Sequence, residues 1–323
     1  MSKTQALAEF RDLAPSEESF RDAILSGLGR RQKSIPCRFL YDARGSELFE
    51  AICELPEYYP TRTETRILED NAPEIATLIG RSAQLVEFGS GASRKVRTLL
   101  RAFDQPSAYV AIDISREQLL MAADDLAADF PDLAIVAVCA DYMRPFDLGP
   151  LPAHKGRRLG FFPGSTLGNF TQSEAIEFLA GTRRVIGADG AMLIGIDLQK
   201  DRATLEAAYD DAQGVTAAFN LNLLARINRE LDADFDLRRF AHDASYNEAA
   251  GRIEIYIRSL ADQIVTVAGR AIRFSASERI HTEDSHKYTV EGFHRLAARA
   301  GYRSLRTWTD RDRLFSVHFL TPT

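Results

Sequence analysis

Two glycines and three acidic residues in this chain fall where a bound nucleoside would need them. Glu87-Phe-Gly89-Ser-Gly91 follows directly on the short apolar run QLVEF. Glycines there let a backbone approach a ligand closely, and the helix expected next presents free N–H groups. Asp113 closes a second apolar run in AIDIS, where a carboxylate can accept from both hydroxyls of a ribose. Asp141 closes a third in CADY, where it can accept from an exocyclic amine such as that of adenine. Any one of these residues alone reads as a tight turn or a solvated strand end. Acids at three successive strand ends favour a bound nucleoside.

The spacing also selects among nucleosides. A dinucleotide fingerprint wants a third glycine, and Arg94 stands in its place. No lysine-containing phosphate loop is present either. Glu87 adds negative charge before the glycines, which suits a sulfonium, so the pattern fits S-adenosylmethionine better than NAD. A second cluster is HTEDSHKY, residues 281–288, with two histidines and two carboxylates. On a regular strand His281, Glu283 and Ser285 share one face, while Asp284 and His286 take the other. The two histidines then cannot easily meet at one ion, and no metal site is expected.

The elements that must hold these residues alternate. From Gln84 the runs QLVEF, AYVAIDI, LAIVAVCADY, RRLGFF and GAMLIGIDL are continuous apolar strands, separated by amphipathic helices such as SREQLLMAADDLAADF and SEAIEFLAGTRRVI. That texture predicts a doubly wound, mostly parallel α/β sheet covered on both faces, with the ligand at the carboxyl ends of its strands. Between Gln199 and about Arg279 the alternation stops. A long helical stretch, GVTAAFNLNLLARINRELDADF, precedes RIEIYIRSLADQIVTVAGRAIRFSA, whose alternating residues predict half-exposed antiparallel strands. TVEGFHRLAARAGY and RLFSVHFLT then return to the α/β texture. Before Glu69 the pattern reads as helical, and Thr61 or Thr63 is expected to cap the helix that follows ELPEYYP.

The bulk properties narrow the class further. The chain has 323 residues, a formal net charge of -6 and 45% hydrophobic residues, which suits a soluble globular protein rather than a nucleic-acid binder. Cys37, Cys53 and Cys139 lack any C-x-x-C spacing, as expected in a reducing compartment. MSKTQALAEFRDL has no apolar signal core, and the run from Leu133 to Ala140 is too short to cross a bilayer. A cytoplasmic monomer without membrane or nucleic-acid partners is expected.

Longer motifs carry a resemblance. LPEYYPTRTE, LVEFGSGASRKVRTLL, FFPGSTLGNF, GIDLQKD, AYDDAQGVTAAFNLNLLARINRELDADF and TEDSHKY, in this order, resemble the histidine Nα-methyltransferases of ergothioneine biosynthesis. The likeness runs from about Arg38 to the C-terminus. It implies a Rossmann-like class I methyltransferase core with an inserted α+β substrate-binding domain. The expected parts are a helical N-terminal piece of the substrate domain (1–60), the core (61–198), the insertion (199–286) and the end of the core (287–323). It implies S-adenosylmethionine as methyl donor, contacted by Glu87, Gly89, Gly91, Lys95, Asp113 and Asp141, and no metal. It implies L-histidine as substrate, converted by three successive methylations to hercynine. Tyr58, Asn169 and Tyr209 would hold its amino-carboxylate end, and Glu283 and Ser285 its imidazole. Tyr41, Gly164 and Thr166 would lie near the reacting amine.

Two departures from the family pattern bear on the pocket. Ile255 stands where methionine is expected beside the imidazole, and Asp284 and His286 replace small or apolar residues. Rival readings are the same chemistry on another amino acid or small amine, a dinucleotide oxidoreductase, and a nucleoside-binding regulator.

Overall fold

The computed structural model describes residues 9–13, 19–90, 94–144, 146–149, 151 and 156–323. In chain order its strands are β1 (Glu9–Asp12), β2 (Gln84–Phe88), β3 (Ala108–Asp113), β4 (Ala134–Cys139), β5 (Arg158–Phe162), β6 (Ala191–Asp197), β7 (Phe240–Asn247), β8 (Arg252–Ser259), β9 (Gln263–Val267), β10 (Arg270–Phe274), β11 (Arg279–His286), β12 (Tyr302–Thr309) and β13 (Phe315–Pro322). Its α-helices are α1 (Phe20–Leu28), α2 (Ala43–Cys53), α3 (Tyr59–Ile79), α4 (Arg94–Ala102), α5 (Arg116–Asp129), α6 (Gln172–Ile186), α7 (Arg202–Tyr209), α8 (Val215–Leu231) and α9 (Val290–Arg299). The chain divides into two units. One holds Met1–Ser16, Arg62–Leu198 and Tyr288–Thr323, and the other holds Glu17–Thr61 and Gln199–Lys287.

The first unit is built on one sheet in the order β1-β4-β3-β2-β5-β6-β13-β12. Strands β1 to β6 pair in parallel, and β13 runs antiparallel to both β6 and β12. The chain winds outward from β2 to β3 and β4, then returns to its other side with β5 and β6. The switch point at β2 is where open α/β sheets bind ligands. Strands β2 to β6 are buried along nearly their whole length because both faces are covered. Ile75, Leu99, Leu119 and Leu126 pack on one face, and Phe178, Leu179, Phe293 and Leu296 on the other. This arrangement, a parallel sheet ended by one antiparallel strand between two others, is the class I methyltransferase fold.

The second unit contains the antiparallel sheet β11-β8-β7 and the hairpin β9–β10. Along β8 the side chains alternate half-buried and buried, as its sequence predicts. Ile253 and Ile255 join Leu205 and Tyr246 in a small core, against which Tyr209 packs. Helix α8 buries Leu223, Leu224, Ile227 and Leu231 as the apolar stripe requires.

Two local expectations are corrected. Glu9–Asp12 is a strand rather than helix, held by parallel pairing with β4. Helix α3 begins at Tyr59, so Thr61 and Thr63 lie inside it. Pro60 occupies the first turn, where its missing N–H has no intrahelical partner to lose.

Candidate active site

At the carboxyl end of β2 the backbone turns through Gly89, whose φ of 78° places it in the left-handed region that favours glycine. Its N–H donates to Ile112 O at 2.8 Å, which fixes the turn against β3. Gly91, the second glycine of the motif, lies outside the described residues. Glu87 is fully buried and accepts from the Tyr109 hydroxyl. Its Oε1 has no hydrogen-bond partner among the described residues, and neither has the buried Ser90 Oγ. Two orphaned polar atoms beside a glycine turn suit a cradle for a polar ligand.

The charge expected on Glu87 is corrected. Burial pushes its carboxyl up to about 8, against the lowering effects of the Tyr109 hydrogen bond and Lys95. At neutral pH it is therefore mostly protonated in the ligand-free chain. The ordinary value is 4.5. Stability from this group is complete below that value and is lost as pH rises toward about 8, because the unfolded chain ionises first. Glu87→Gln keeps an acceptor for Tyr109 and cannot ionise. Its stability relative to wild type is expected to rise between pH 5 and pH 8, read as the difference in urea midpoints.

Asp113 ends β3 half-buried. Its Oδ1 accepts from Ser115 N at 2.8 Å. Burial raises its carboxyl to about 6, against the N–H groups of Ser115 and Ile114. Asp141 stands at the start of the loop after β4, accepts from Met143 N at 2.9 Å, and meets Arg144 Nε at 3.3 Å.

The loop after β5 carries Gly164, Thr166 and Asn169. Gly164 has a φ of 79°, and Ser165 follows in the left-handed region. Three contacts hold this loop. Glu64 Oε2 accepts from Gly164 N at 2.8 Å. Ser165 Oγ accepts from Asp197 N at 2.9 Å. The Thr166 hydroxyl donates to Pro163 O at 2.9 Å. Asn169 ends the short helical turn Thr166–Asn169, just before the capping box of Thr171 and Glu174 starts α6.

Lys95 reaches the same loop indirectly, since its ammonium donates to Glu64 Oε2 at 2.6 Å. Glu64 was not singled out in the sequence, yet it is fully buried and ties α4 to the Gly164 loop. Gly195 makes room for it, because a Cβ there would lie 1.9 Å from Glu64 Oε1.

In the second unit the expected tyrosines form one aromatic run. Tyr41 meets Phe49 and Phe219 edge-on at centroid distances of 5.5 and 5.4 Å. Tyr58 meets Phe49 at 6.3 Å and Tyr209 at 6.1 Å. Tyr41 is placed by its neighbour Asp42, which caps α2 through Gly45 N and accepts from Asn222 of α8 at 2.8 Å. Burial raises the Tyr58 hydroxyl well above its usual range, helped by Tyr209, Cys53, Tyr41 and Glu283. It stays protonated and can donate. Tyr209 ends α7, and its carbonyl is bonded to His242 Nε2 at 2.8 Å.

Strand β11 corrects the expected division of faces. Its register runs His281↔Tyr256, then Glu283↔Ile255, which leaves Thr282 as the extra residue of a β-bulge. Thr282 is buried, and its hydroxyl donates to Ile255 O at 3.1 Å. After the bulge the alternation is shifted by one. Glu283 and Ser285 lie opposite Ile255 and Ile253, on the buried face. His281, Asp284 and His286 lie opposite Tyr256, Glu254 and Arg252, on the other face. His281 therefore leaves the Glu283 side and meets Asp284 at 3.0 Å. Of the departures from the family pattern, Ile255 stands directly across from Glu283, and Asp284 and His286 face away. Among the described residues no group of three or more His, Cys, Asp or Glu is placed to hold a metal ion.

A further contact was not foreseen. Lys287, next in the chain after β11, donates to Ser285 Oγ at 2.8 Å and to the Tyr209 hydroxyl at 2.7 Å.

Residues 20–322 match the family model described as histidine-specific methyltransferase, SAM-dependent. The chain belongs to this family of S-adenosylmethionine-dependent, histidine-specific methyltransferases. It is 42% identical to a histidine N-alpha-methyltransferase of Mycolicibacterium smegmatis, over 95% of this chain and 96% of that one. It is 41% identical to the protein of the same name from Mycobacterium tuberculosis, over 90% and 91% of the two chains. Ergothioneine biosynthesis protein 1 of Neurospora crassa is 35% identical over 89% of this chain, which matches 33% of that longer protein. Among the described residues no helix is long and apolar enough to cross a membrane.

Proposed function

We propose that this methyltransferase converts L-histidine to Nα,Nα,Nα-trimethyl-L-histidine (hercynine) by three successive transfers to the α-amine, the first step of ergothioneine biosynthesis. The observation that carries the substrate is the pairing of Glu283 and Ser285 on one strand face. A carboxylate and a hydroxyl two residues apart match the two ring nitrogens of an imidazole, one N–H and one lone pair. The same reading has the protein act as a cytoplasmic monomer on free histidine.

S-adenosylmethionine supplies a methyl group already activated on a sulfonium. The chain's own residues then have three tasks. In the first unit, Asp113 would hold the ribose hydroxyls and Asp141 the adenine amine, while the backbone at Gly89 would lie against the nucleoside and the orphaned oxygen of Glu87 would find its hydrogen-bond partner there. Lys95 serves the same unit through Glu64, which fixes the Gly164 loop. In the second unit, Tyr58 and Tyr209 would donate to the substrate carboxylate.

The third task is to present the amine neutral and aligned. A free α-amine is largely protonated at neutral pH, so the site must let a proton leave. The Thr166 hydroxyl proton is committed to Pro163 O, so its oxygen can accept an amine N–H. Gly164, without a side chain, leaves room for a growing methylammonium. The ring of Tyr41, edge-on to Phe49 and Phe219, can face the cation that builds up. The quaternary product has no lone pair left, so transfer stops at three methyls.

The test is to incubate the purified protein with S-adenosylmethionine and each free amino acid, and to read product masses. Trimethylated product is expected from histidine alone. Trimethylation of another amino acid with histidine untouched would replace this substrate.

A further inference from the structure

Lys287 is buried to 2% exposure, an uncommon state for a lysine unless its ammonium is bonded. Its Nζ sits 2.8 Å from Ser285 Oγ and 2.7 Å from the Tyr209 hydroxyl, and these two oxygens are 2.9 Å apart. The three groups close a triangle, and the ammonium also lies 4.5 Å from the centre of the Tyr209 ring. The backbone holds it there: Lys287 N donates to Gly251 O at 2.8 Å, and Gln199 donates to Lys287 O at 3.2 Å. Past the bulge, Glu283, Ser285 and Lys287 follow one another at every second position, giving acid, hydroxyl and base in alternation along the chain.

We propose that Lys287 is a positioning residue that sets the hydrogen-bond polarity of the substrate pocket, turning Ser285 and Tyr209 into donors so that histidine is taken with its imidazole neutral. This rests on the reading of Ser285 and Glu283 as the imidazole receptor. An ammonium only donates. By giving hydrogen bonds to both hydroxyl oxygens, it occupies a lone pair on each and directs their protons outward. Without substrate, one of those two protons makes the Tyr209–Ser285 contact; with substrate bound, Ser285 gives its proton to the ring and Tyr209 gives its own to the carboxylate. Glu283 accepts from one ring nitrogen, and the hydroxyl backed by Lys287 donates to the other. A neutral imidazole offers one N–H and one lone pair, which satisfies both. An imidazolium offers two N–H groups, and one of them would face a donor. Among the described residues of this unit, the titratable groups that interact with Glu283, Lys287 and Tyr209 include Tyr58, Cys37 and Tyr246, with Tyr41 and Cys53 beside Tyr58.

The proposal is tested by titrating histidine into the full-length protein saturated with S-adenosylhomocysteine, between pH 5.5 and pH 8. The α-amine stays protonated over this range, so ring protonation is what changes in the ligand. Affinity is expected to fall by about tenfold per pH unit below roughly 6.5, the ordinary imidazole value. In Lys287→Met, affinity at pH 8 falls on the order of tenfold to a hundredfold, and the pH slope flattens. S-adenosylhomocysteine affinity stays within about twofold, because the lysine lies outside the nucleoside residues. Combining Lys287→Met with Ser285→Ala adds little to either single change, since the lysine acts through that hydroxyl. A merely structural lysine would lower affinity without altering the slope. If Lys287→Met fails to bind S-adenosylhomocysteine, Ser285→Ala takes over the slope measurement with the same expectation. Wild-type binding that is flat or tighter at low pH, or an unchanged slope in the variant, overturns the proposal and leaves the substrate reading standing. Absence of histidine binding by wild type at any pH overturns both.

Discussion

Glu283→Ala should raise KM for histidine by on the order of tenfold to a hundredfold, while the dissociation constant of S-adenosylhomocysteine stays within about twofold. The asymmetry follows from where Glu283 stands. It belongs to β11, opposite Ile255, with Ser285 as its neighbour on the same face. Its removal leaves a ring N–H of the substrate without an acceptor, which costs about the desolvation of that group. Gly89 and Asp113, proposed for the nucleoside, belong to the first unit and keep their own bonds. Calorimetry with each ligand, run beside steady-state methylation, reads the split. Equal weakening of both ligands would contradict the assignment of Glu283 to the imidazole.

Asp113 is expected to show the reverse selectivity. Asp113→Ala should weaken S-adenosylhomocysteine on the order of tenfold to a hundredfold and change histidine affinity of the saturated enzyme little. Alanine also removes the bond from Ser115 N–H to Oδ1, a 2.8 Å contact that shapes the end of β3. Asp113→Asn keeps an acceptor for that N–H and isolates the loss of charge. Burial raises the ligand-free carboxyl to about 6. A ligand that donates to the carboxylate form therefore binds more weakly as pH falls through that value, and Asp113→Asn should flatten this dependence. Cofactor affinity in Asp113→Ala equal to that of wild type would remove Asp113 from the nucleoside site.

What could be read in advance follows from how locally each feature is encoded. The glycine turn and the strand-end acids sit in contiguous motifs, and the runs that carry them are short and predominantly apolar, as buried strands are. Glu64 and Lys287 were missed because their roles depend on distant partners. Glu64 meets Lys95 across 31 residues and Gly164 across 100, and Lys287 meets Tyr209 across 78. Phe49 and Phe219 were missed for the same reason, since their edge contacts with Tyr41 come from α2 and α8. The face of His281 was misassigned because period-two alternation cannot foresee a bulge. Thr282, small and able to bond Ile255 O, absorbs the extra residue. Strand β1 reads as helix because EFRD has too few residues to show a period, and its pairing partner comes much later in the chain.

The central claim is that the α-amine of histidine is the methyl acceptor while its ring is held by Glu283 and Ser285. The most direct measurement is NMR of the product made from histidine and S-adenosylmethionine carrying an isotope-labelled methyl group. The expected result is a single methyl signal from three equivalent groups on the α-nitrogen, with the imidazole unlabelled. Label on a ring nitrogen, or histidine recovered without label, would contradict it.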